Sequence, residues 1–156
     1  MKTVPFLFFI KNYDIIKIKK RYKLMRLWHQ DIISKLPRQQ LLGQHRECCA
    51  LRGAGWGRPH SVVNYVFQYK PEHLVAYHYL VMDEMERRGY HPDSIWRCAN
   101  WRGKTLQEYT NWCNENLAYE LYCAGAVGGH LYPEHNDAYL QECIDNLRGK
   151  GIEINP

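Results

Sequence analysis

Arg46 and Glu47 are the residues of this sequence best placed to do chemistry together, an adjacent cation and carboxylate within the block Leu41–Cys48. They fall off the apolar spacing of a predicted helix, so both side chains are expected on its polar face. Gly43 precedes Glu47 by one helical turn, which leaves the backbone open to a ligand or lets another helix pack closely. An arginine beside a glutamate is common on helix surfaces, so the pair alone does not identify a function.

Arginines are concentrated around this pair. Residues 25–58 hold six basic residues against two acids, and five of the six are arginine. The planar guanidinium fork suits phosphate groups. A local positive face of this kind is typical of a protein that binds nucleic acid or phosphate. The alternative interpretation is an ordinary solvated helix face.

The positive charge of the whole chain has a different origin. The 156 residues carry a net charge of +5, but residues 1–24 alone hold seven basic residues and one acid. The short apolar run Val4–Ile10 cannot span a membrane, and no small-residue cleavage site follows it. Met25 begins more regular sequence. We interpret residues 1–24 as an N-terminal extension that is either not translated or disordered; the alternative is a genuine basic arm.

The six cysteines and eight histidines show no metal-binding spacing. There is no C-x-x-C motif, and Cys48 and Cys49 are adjacent in a predicted helix, which disfavours a bond between them. His130 and His135 are five residues apart, which does not place them on one helical face. We therefore expect reduced cysteines in a cytoplasmic protein that needs neither a metal nor a cofactor.

Proline and glycine positions predict the helices that would carry these residues. The predicted spans are Pro37–Arg52, Pro71–Arg88, Thr105–Tyr122 and Pro133–Arg148. The third begins at a capping-box pattern, and Gly125–Gly129 follows it as a break. The segment Ser61–Tyr69 is predicted as a strand or an extended link, and the glycine-rich loop Gly53–His60 matches neither nucleotide-binding glycine motif. The sequence therefore predicts a mainly α fold, a compact single-domain bundle of three to four helices with long loops, over residues 25–152.

The block Leu41–Cys48, with its glycine and its upstream arginines, resembles the first helix of the pyrimidine-dimer DNA glycosylase/AP lyase family, the phage endonuclease V type. Other segments are similar to the family in the same order along the chain. They are Met25–Leu27, His60–Phe67 followed by a helix that ends in Glu86–Tyr90, and Pro133–His135. The resemblance covers roughly residues 25–150, and its sharpest match is the Arg46–Glu47 pair.

The resemblance implies a DNA repair enzyme that attacks C1′ of the damaged nucleotide with an N-terminal α-amine. The attack expels the base and leaves a protonated imine, and β-elimination then cuts the strand. An α-amine has a pKa of about 7.7–8.0, so a useful fraction is neutral at pH 7. Aligning Arg26 with the family's arginine places Met25 at the position of that amine, so the implied catalytic residues are Met25 and Glu47. The Glu47 carboxylate would stabilise the cationic sugar and help to move protons.

The resemblance also implies a partner, damaged double-stranded DNA with a base flipped out of the helix. The implied DNA-binding residues are Arg26, Gln39, Arg46 and Arg52. We expect a monomer with no obligate protein partner and no membrane association. Two departures from the family stand out. A free amine at Met25 requires that residues 1–24 be absent, and the segment Gly149–Pro156 lacks the aromatic tail with which the phage enzyme engages damaged DNA.

Two other functions fit the same sequence. One is a non-catalytic DNA- or RNA-binding module on the same scaffold, and the other is a helical protein-interaction domain. Glu47 distinguishes the enzyme from the binding module, because an acid in a basic cleft weakens phosphate affinity and has little use in a pure binder.

Overall fold

The computed structural model of the protein describes residues 26–58, 63–106 and 111–156. These ranges hold four α-helices, four short 3₁₀ helices and no β-strand. The α-helices are α1 (Arg38–Arg52), α2 (Pro71–Arg87), α3 (Glu115–Ala126) and α4 (Asp137–Arg148). The 3₁₀ helices are Gln30–Lys35, Asn64–Gln68, Ser94–Arg97 and Lys104–Leu106. The predicted mainly α class, with three to four helices, is therefore confirmed.

Helix α2 lies at the centre of the fold and packs against both α1 and α3. Five consecutive residues, 74–78, have no exposed surface, so neighbours cover this helix on several sides. Burial of its apolar side chains stabilises the fold by about 25 cal/mol for each Å² removed from water. None of the helices in the described ranges has the length and apolar character needed to cross a membrane.

Helices α1 and α2 follow the predicted bounds to within one residue. Pro37 is the N-cap of α1, where its missing N–H costs nothing, and Gly53 caps the other end. Helix α2 ends at Arg87, and Gly89 then adopts the left-handed backbone conformation with a φ of 82°. A glycine reaches that region without the steric cost of a Cβ atom, which is why it ends the helix here.

Helix α3 does not begin where the capping-box pattern predicted. Thr105 lies in the short 3₁₀ helix Lys104–Leu106, and residues 107–110 of the pattern lie outside the described residues. Asn114 is the actual N-cap, since its side chain accepts a hydrogen bond from the Leu117 N–H at 3.1 Å. Asparagine is among the strongest N-cap residues, so this second signal outweighs the first.

The far end of α3 also differs from the prediction. Gly125 lies inside the helix rather than in a break after it. A Cβ atom at Gly125 would come within 3.1 Å of Leu80 Cδ1 on α2, so the glycine allows the two helices to approach closely. The helix ends one residue later, at Ala126, and Gly128 then turns the chain with a φ of 99°.

Two further expectations need correction. Helix α4 begins at Asp137 rather than Pro133, because Asn136 caps it by accepting a hydrogen bond from the Tyr139 N–H at 2.9 Å. The segment predicted as a strand or link contains the 3₁₀ helix Asn64–Gln68, with Val63 and Val66 buried. The alternation of apolar residues therefore indicates which side chains are buried, and it does not indicate a strand.

Residues 26–29 run as irregular chain through the middle of the fold. The Trp28 N–H donates to Gln44 Oε1 on α1 at 2.6 Å, and the Tyr77 hydroxyl on α2 donates to the Trp28 carbonyl at 2.6 Å. The Tyr139 hydroxyl on α4 donates to the Leu27 carbonyl. Three helices thus hold this short segment, and it carries Arg26 to the candidate site.

Candidate active site

The Glu47 carboxylate lies where α1 meets the irregular segment that begins at Arg26. Its Oε2 atom accepts hydrogen bonds from the Arg26 backbone N–H at 3.3 Å and from Gln44 Nε2 at 3.2 Å. Oε1 receives no hydrogen bond from any described residue, so one carboxylate oxygen keeps its acceptor capacity. The arrangement holds the carboxyl group in place while leaving it able to interact with a ligand or to exchange a proton.

Gln44 connects the elements of this site, and it was not among the residues predicted for it. Its Oε1 accepts from the Trp28 N–H at 2.6 Å and from the Tyr77 hydroxyl at 3.0 Å. Its Nε2 donates to the Arg26 carbonyl at 2.8 Å as well as to Glu47. A buried glutamine one helical turn before Glu47 was the available signal, because a polar residue on a buried face usually has partners there.

Burial raises the pKa of the Glu47 carboxyl from 4.5 to about 7, because the charged form is poorly solvated there. The Arg26 N–H and the positive charges of Lys150, Arg26 and Arg46 lower the pKa and offset part of this rise. A carboxyl group that is half ionised near pH 7 can take up and release a proton at little cost. Such a shift is typical of functional carboxylates in clefts.

The Arg26 side chain lies against the Trp28 ring, and its positive charge acts on the Glu47 carboxyl. The guanidinium carbon is 5.4 Å from the centre of the Trp28 ring, and Nη1 is 3.5 Å from Glu142 Oε1. Only 13% of the side chain is exposed, whereas the Glu142 side chain is 60% exposed. Arg26 and Glu47 are therefore brought together, although they are 21 residues apart in the chain.

Arg46 and Gln39 lie on exposed positions of α1, where they are accessible to a ligand. A Cβ atom built at Gly43 would be 3.9 Å from Arg46 Nη2, and no atom of another described element comes within 4 Å. Gly43 is therefore covered by the Arg46 side chain and does not mediate close packing with another helix.

Arg52 is the predicted phosphate ligand that the structure places elsewhere. It has no exposed surface, and its guanidinium donates to the carbonyls of Trp96 at 2.8 Å, Cys98 at 2.8 Å and Trp101 at 3.2 Å. It also donates to His78 Nδ1 at 3.0 Å. These bonds join α1 to the loop after α2, so the Arg52 guanidinium is engaged within the fold and is not exposed to a ligand. The sequence could not show that these carbonyl groups converge on it.

Met25, the other predicted catalytic residue, lies outside the described residues. It directly precedes Arg26 in the chain, and the Arg26 N–H is bonded to Glu47.

His45, Cys49 and His78 form one group that could hold a metal ion, with ligand atoms within 4.8 Å of one another. The hydrogen bonds already present oppose this use. Because Arg52 can only donate, His78 Nδ1 must accept, and the hydrogen of His78 therefore lies on Nε2. Nε2 is 2.8 Å from His45 Nδ1, to which it then donates. A metal-bound histidine usually donates its second N–H to an acceptor, and Arg52 offers none.

His29, Asp31 and His130 form a second such group. His29 Nδ1 already accepts the Asp31 backbone N–H at 3.1 Å, and His130 Nε2 lies 2.9 Å from Asp31 Oδ1. Asp31 and His130 are both exposed, so this is an ordinary surface pair of a histidine and an acid.

Comparison with known proteins identifies one family. The family model described as pyrimidine dimer DNA glycosylase matches residues 25–98. The matched range begins at Met25 and includes Arg26, Gln44 and Glu47, but it ends before α3, α4 and Lys150. No curated protein and no solved structure matches the chain. Over residues 25–98, the chain is thus similar to the pyrimidine dimer DNA glycosylase family, the same family that the Arg46–Glu47 block resembles.

Proposed function

We propose that the protein is a DNA glycosylase with AP lyase activity that acts on damaged pyrimidines, including pyrimidine dimers, in duplex DNA. The observation that carries this proposal is the partly buried Glu47 carboxyl, which has a pKa raised to about 7 and accepts the Arg26 N–H at 3.3 Å. Arg26 is the residue next to Met25. An α-amine on Met25 would therefore lie one residue away from a group able to move protons.

The proposed reaction begins when the neutral amine of Met25 attacks C1′ of the damaged nucleotide. The new C–N bond forms as the glycosidic bond breaks, and the departing base takes up a proton that the attacking amine releases. Ionised Glu47 carries that proton. The nitrogen then forms a protonated imine with C1′ as the C1′–O4′ bond breaks, and O4′ takes up a proton from solvent through Glu47. The Glu47 carboxylate stabilises the positive charge on the sugar and on the imine. Loss of a proton from C2′ then expels the 3′ phosphate, and water releases the amine from the cleaved strand.

The positive groups near the site have the complementary role of binding the DNA backbone. Arg26 and the exposed α1 residues Arg46 and Gln39 can reach phosphate or sugar oxygens, and such contacts fix the position of a duplex. Arg52 does not belong to this set, since its guanidinium is buried and bonded to carbonyl groups. The affinity for DNA is expected to fall as the salt concentration rises, as it does for proteins that neutralise phosphates.

Borohydride trapping on a duplex with an abasic site tests the proposal, since reduction of the imine leaves a covalent adduct. Two versions of the chain are compared, one that starts at Met1 and one that starts at Met25. We expect an adduct only with the second version. Glu47→Gln in that version should abolish strand cleavage and leave duplex binding unchanged or tighter.

Glu142→Gln is the matched control, because Glu142 also contacts Arg26 but is exposed. This variant should form the adduct at the normal rate. Adducts with both versions of the chain would assign the nucleophile to a lysine and contradict the role of Met25. Duplex binding without any adduct would favour a non-catalytic nucleic-acid-binding module.

A further inference from the structure

Two side chains from the region of α4 hold the backbone of residues 26–30. The Tyr139 hydroxyl donates to the Leu27 carbonyl, and His135 Nδ1 accepts the Gln30 backbone N–H at 3.0 Å. His135 has no exposed surface. Both residues lie beyond the part of the chain that the family model matches. They bond to the short stretch that leads to the candidate site, although they are distant from it in sequence.

Tyr65, in the 3₁₀ helix before α2, joins these two side chains into one network. Because His135 Nδ1 accepts a hydrogen bond, the ring hydrogen lies on Nε2, which donates to the Tyr65 hydroxyl at 2.8 Å. The Tyr65 and Tyr139 ring centres are 6.4 Å apart, and the Tyr65 hydroxyl donates in turn to that of Tyr139. The network therefore begins at the Gln30 N–H and ends at the Leu27 carbonyl.

The three side chains of this network keep one protonation state around neutral pH. Burial lowers the pKa of His135 to about 3. Burial also raises the pKa of Tyr65 and of Tyr139. The histidine therefore stays neutral and both phenols keep their hydrogens, so the direction of each hydrogen bond is fixed. Such residues are suited to holding a backbone and not to exchanging protons with a substrate.

The peptide group between Leu27 and Trp28 is held at both ends. Its carbonyl accepts from Tyr139 on α4, and its N–H donates to Gln44 Oε1 on α1 at 2.6 Å. Since a peptide group is planar, two bonds to its opposite ends fix its orientation. This fixed plane lies next to Arg26, whose own N–H donates to the Glu47 carboxyl.

The Trp28 side chain is held as well. It is 5% exposed, and its ring centre lies 5.4 Å from both the Arg26 guanidinium carbon and Lys150 Nζ. The backbone and the side chain of Trp28 are therefore both anchored. The segment cannot shift without losing contacts to α1, to α4 or to the residues after α4.

We propose that Tyr139 and His135 are positioning residues for the N-terminal amine. Their hydrogen bonds to residues 26–30 set the distance between the Met25 amine and the Glu47 carboxyl. This inference rests on the proposed function, because it takes that amine as the nucleophile. A misplacement of about 1 Å between reacting groups can cost about 100-fold in rate. Bonds to the neighbouring backbone can therefore control the attack without any contact to DNA.

The first test uses the whole chain and needs no reaction. The Glu47 carboxyl is titrated by ¹³C NMR of protein with labelled glutamate, and Glu47→Gln assigns its signal. The midpoint of the unaltered chain should lie near 7. Tyr139→Phe should move the midpoint upward by at least about 0.3 pH unit, because the Arg26 N–H that lowers this pKa is no longer held in place.

Tyr79→Phe is the matched control, since the buried Tyr79 hydroxyl donates to the Arg97 carbonyl at 2.5 Å instead. This variant should leave the midpoint unchanged.

The second test measures the rate of borohydride trapping in a single turnover on the abasic duplex, with the version that starts at Met25 in saturating excess. Tyr139→Phe should lower this rate at least about 10-fold and leave the duplex affinity within about 2-fold. His135→Asn keeps an oxygen acceptor near the position of Nδ1, whereas His135→Leu has none. The asparagine variant should therefore retain more of the rate.

An unchanged midpoint or an unchanged rate in Tyr139→Phe would overturn the proposal. Equal changes in Tyr79→Phe, or a loss of affinity as large as the loss of rate, would show a general loosening of the fold and would overturn it too. Equal rates in the two His135 variants would remove His135 from the network's role. Failure of the proposed function looks different. If the unaltered version forms no adduct, the amine loses its role, and the NMR titration still decides whether the network holds the backbone beside Glu47.

Discussion

The ionised Glu47 side chain lowers the stability of the folded protein. Its pKa lies near 7 in the folded chain because burial disfavours the carboxylate, whereas an exposed glutamate has a pKa of 4.5. The folded state therefore binds the proton more tightly than the unfolded state does. The contribution of Glu47 to stability therefore falls as the pH rises from 4.5 to about 7 and is constant above that range. At neutral pH, Glu47 lowers the free energy of unfolding, and its carboxyl titrates at the pH where the proposed reaction takes place.

Replacing Glu47 by Gln should stabilise the protein at pH 8, because glutamine keeps an acceptor for the Arg26 N–H without the buried charge. The raised pKa corresponds to a gain of up to about 3 kcal/mol, and each kcal/mol is worth about 2–4 °C in melting temperature. Thermal unfolding, monitored by circular dichroism at pH 8 and at pH 4.5, measures this gain in melting temperature. The gain should shrink towards zero at pH 4.5. Glu142→Gln should change the melting temperature little at either pH, and an equal gain in both variants would argue against a buried Glu47 charge.

The pH dependence of imine formation follows from the same residue. In the proposed mechanism, Glu47 must be ionised and the amine neutral, and both fractions grow as the pH rises. For the version that starts at Met25, the trapping rate should rise with pH, with a midpoint between about 7 and 8. Rates measured from pH 5.5 to pH 9 on the abasic duplex test this, with Glu142→Gln as the reference. A rate that does not change between pH 6 and pH 8 would exclude Glu47 as the titrating group.

At the scale of elements, two residues join α1 to the rest of the fold by hydrogen bonds rather than by apolar packing. Gln44 holds the segment that contains Arg26 and Trp28, and Arg52 holds the loop that contains Trp96 and Cys98. Buried polar groups that are hydrogen-bonded fix one arrangement of the backbone. Through Gln44, these bonds hold the segment with Arg26 against α1, next to Glu47.

Arg52→Lys should destabilise the protein without weakening DNA binding by the folded molecules. Lysine keeps the positive charge but cannot bond the Trp96 and Cys98 carbonyls with a planar fork. Loss of these bonds in a buried position should cost about 2–4 kcal/mol. Urea unfolding gives the free energy, and anisotropy with the abasic duplex at low urea gives the affinity. Exposed Arg46→Lys is the matched control on the same helix, and it should be the variant with the smaller loss of stability.

At the scale of the whole molecule, the sequence predicted what depends on local signals. The ends of α1 and α2 were predicted to within one residue from Pro37, Gly53, Pro71 and Gly89. Proline and glycine signal helix ends because each changes the backbone conformations that are open to its own residue. The start of α3 was missed because two capping patterns compete there, and only tertiary packing decides between them. Arg46 and Glu47 could be selected by type and spacing. The hydrogen bonds of Gln44 could not be predicted, because they join segments that are distant in sequence.

The contact between Lys150 and Trp28 also determines when the site can exist. During synthesis on the ribosome, Lys150 emerges 103 residues after Glu47. A nascent chain therefore carries the Glu47 carboxyl before Lys150 can pack on Trp28. The charge of Lys150 lowers the pKa of Glu47 only once α4 and the residues after it have emerged.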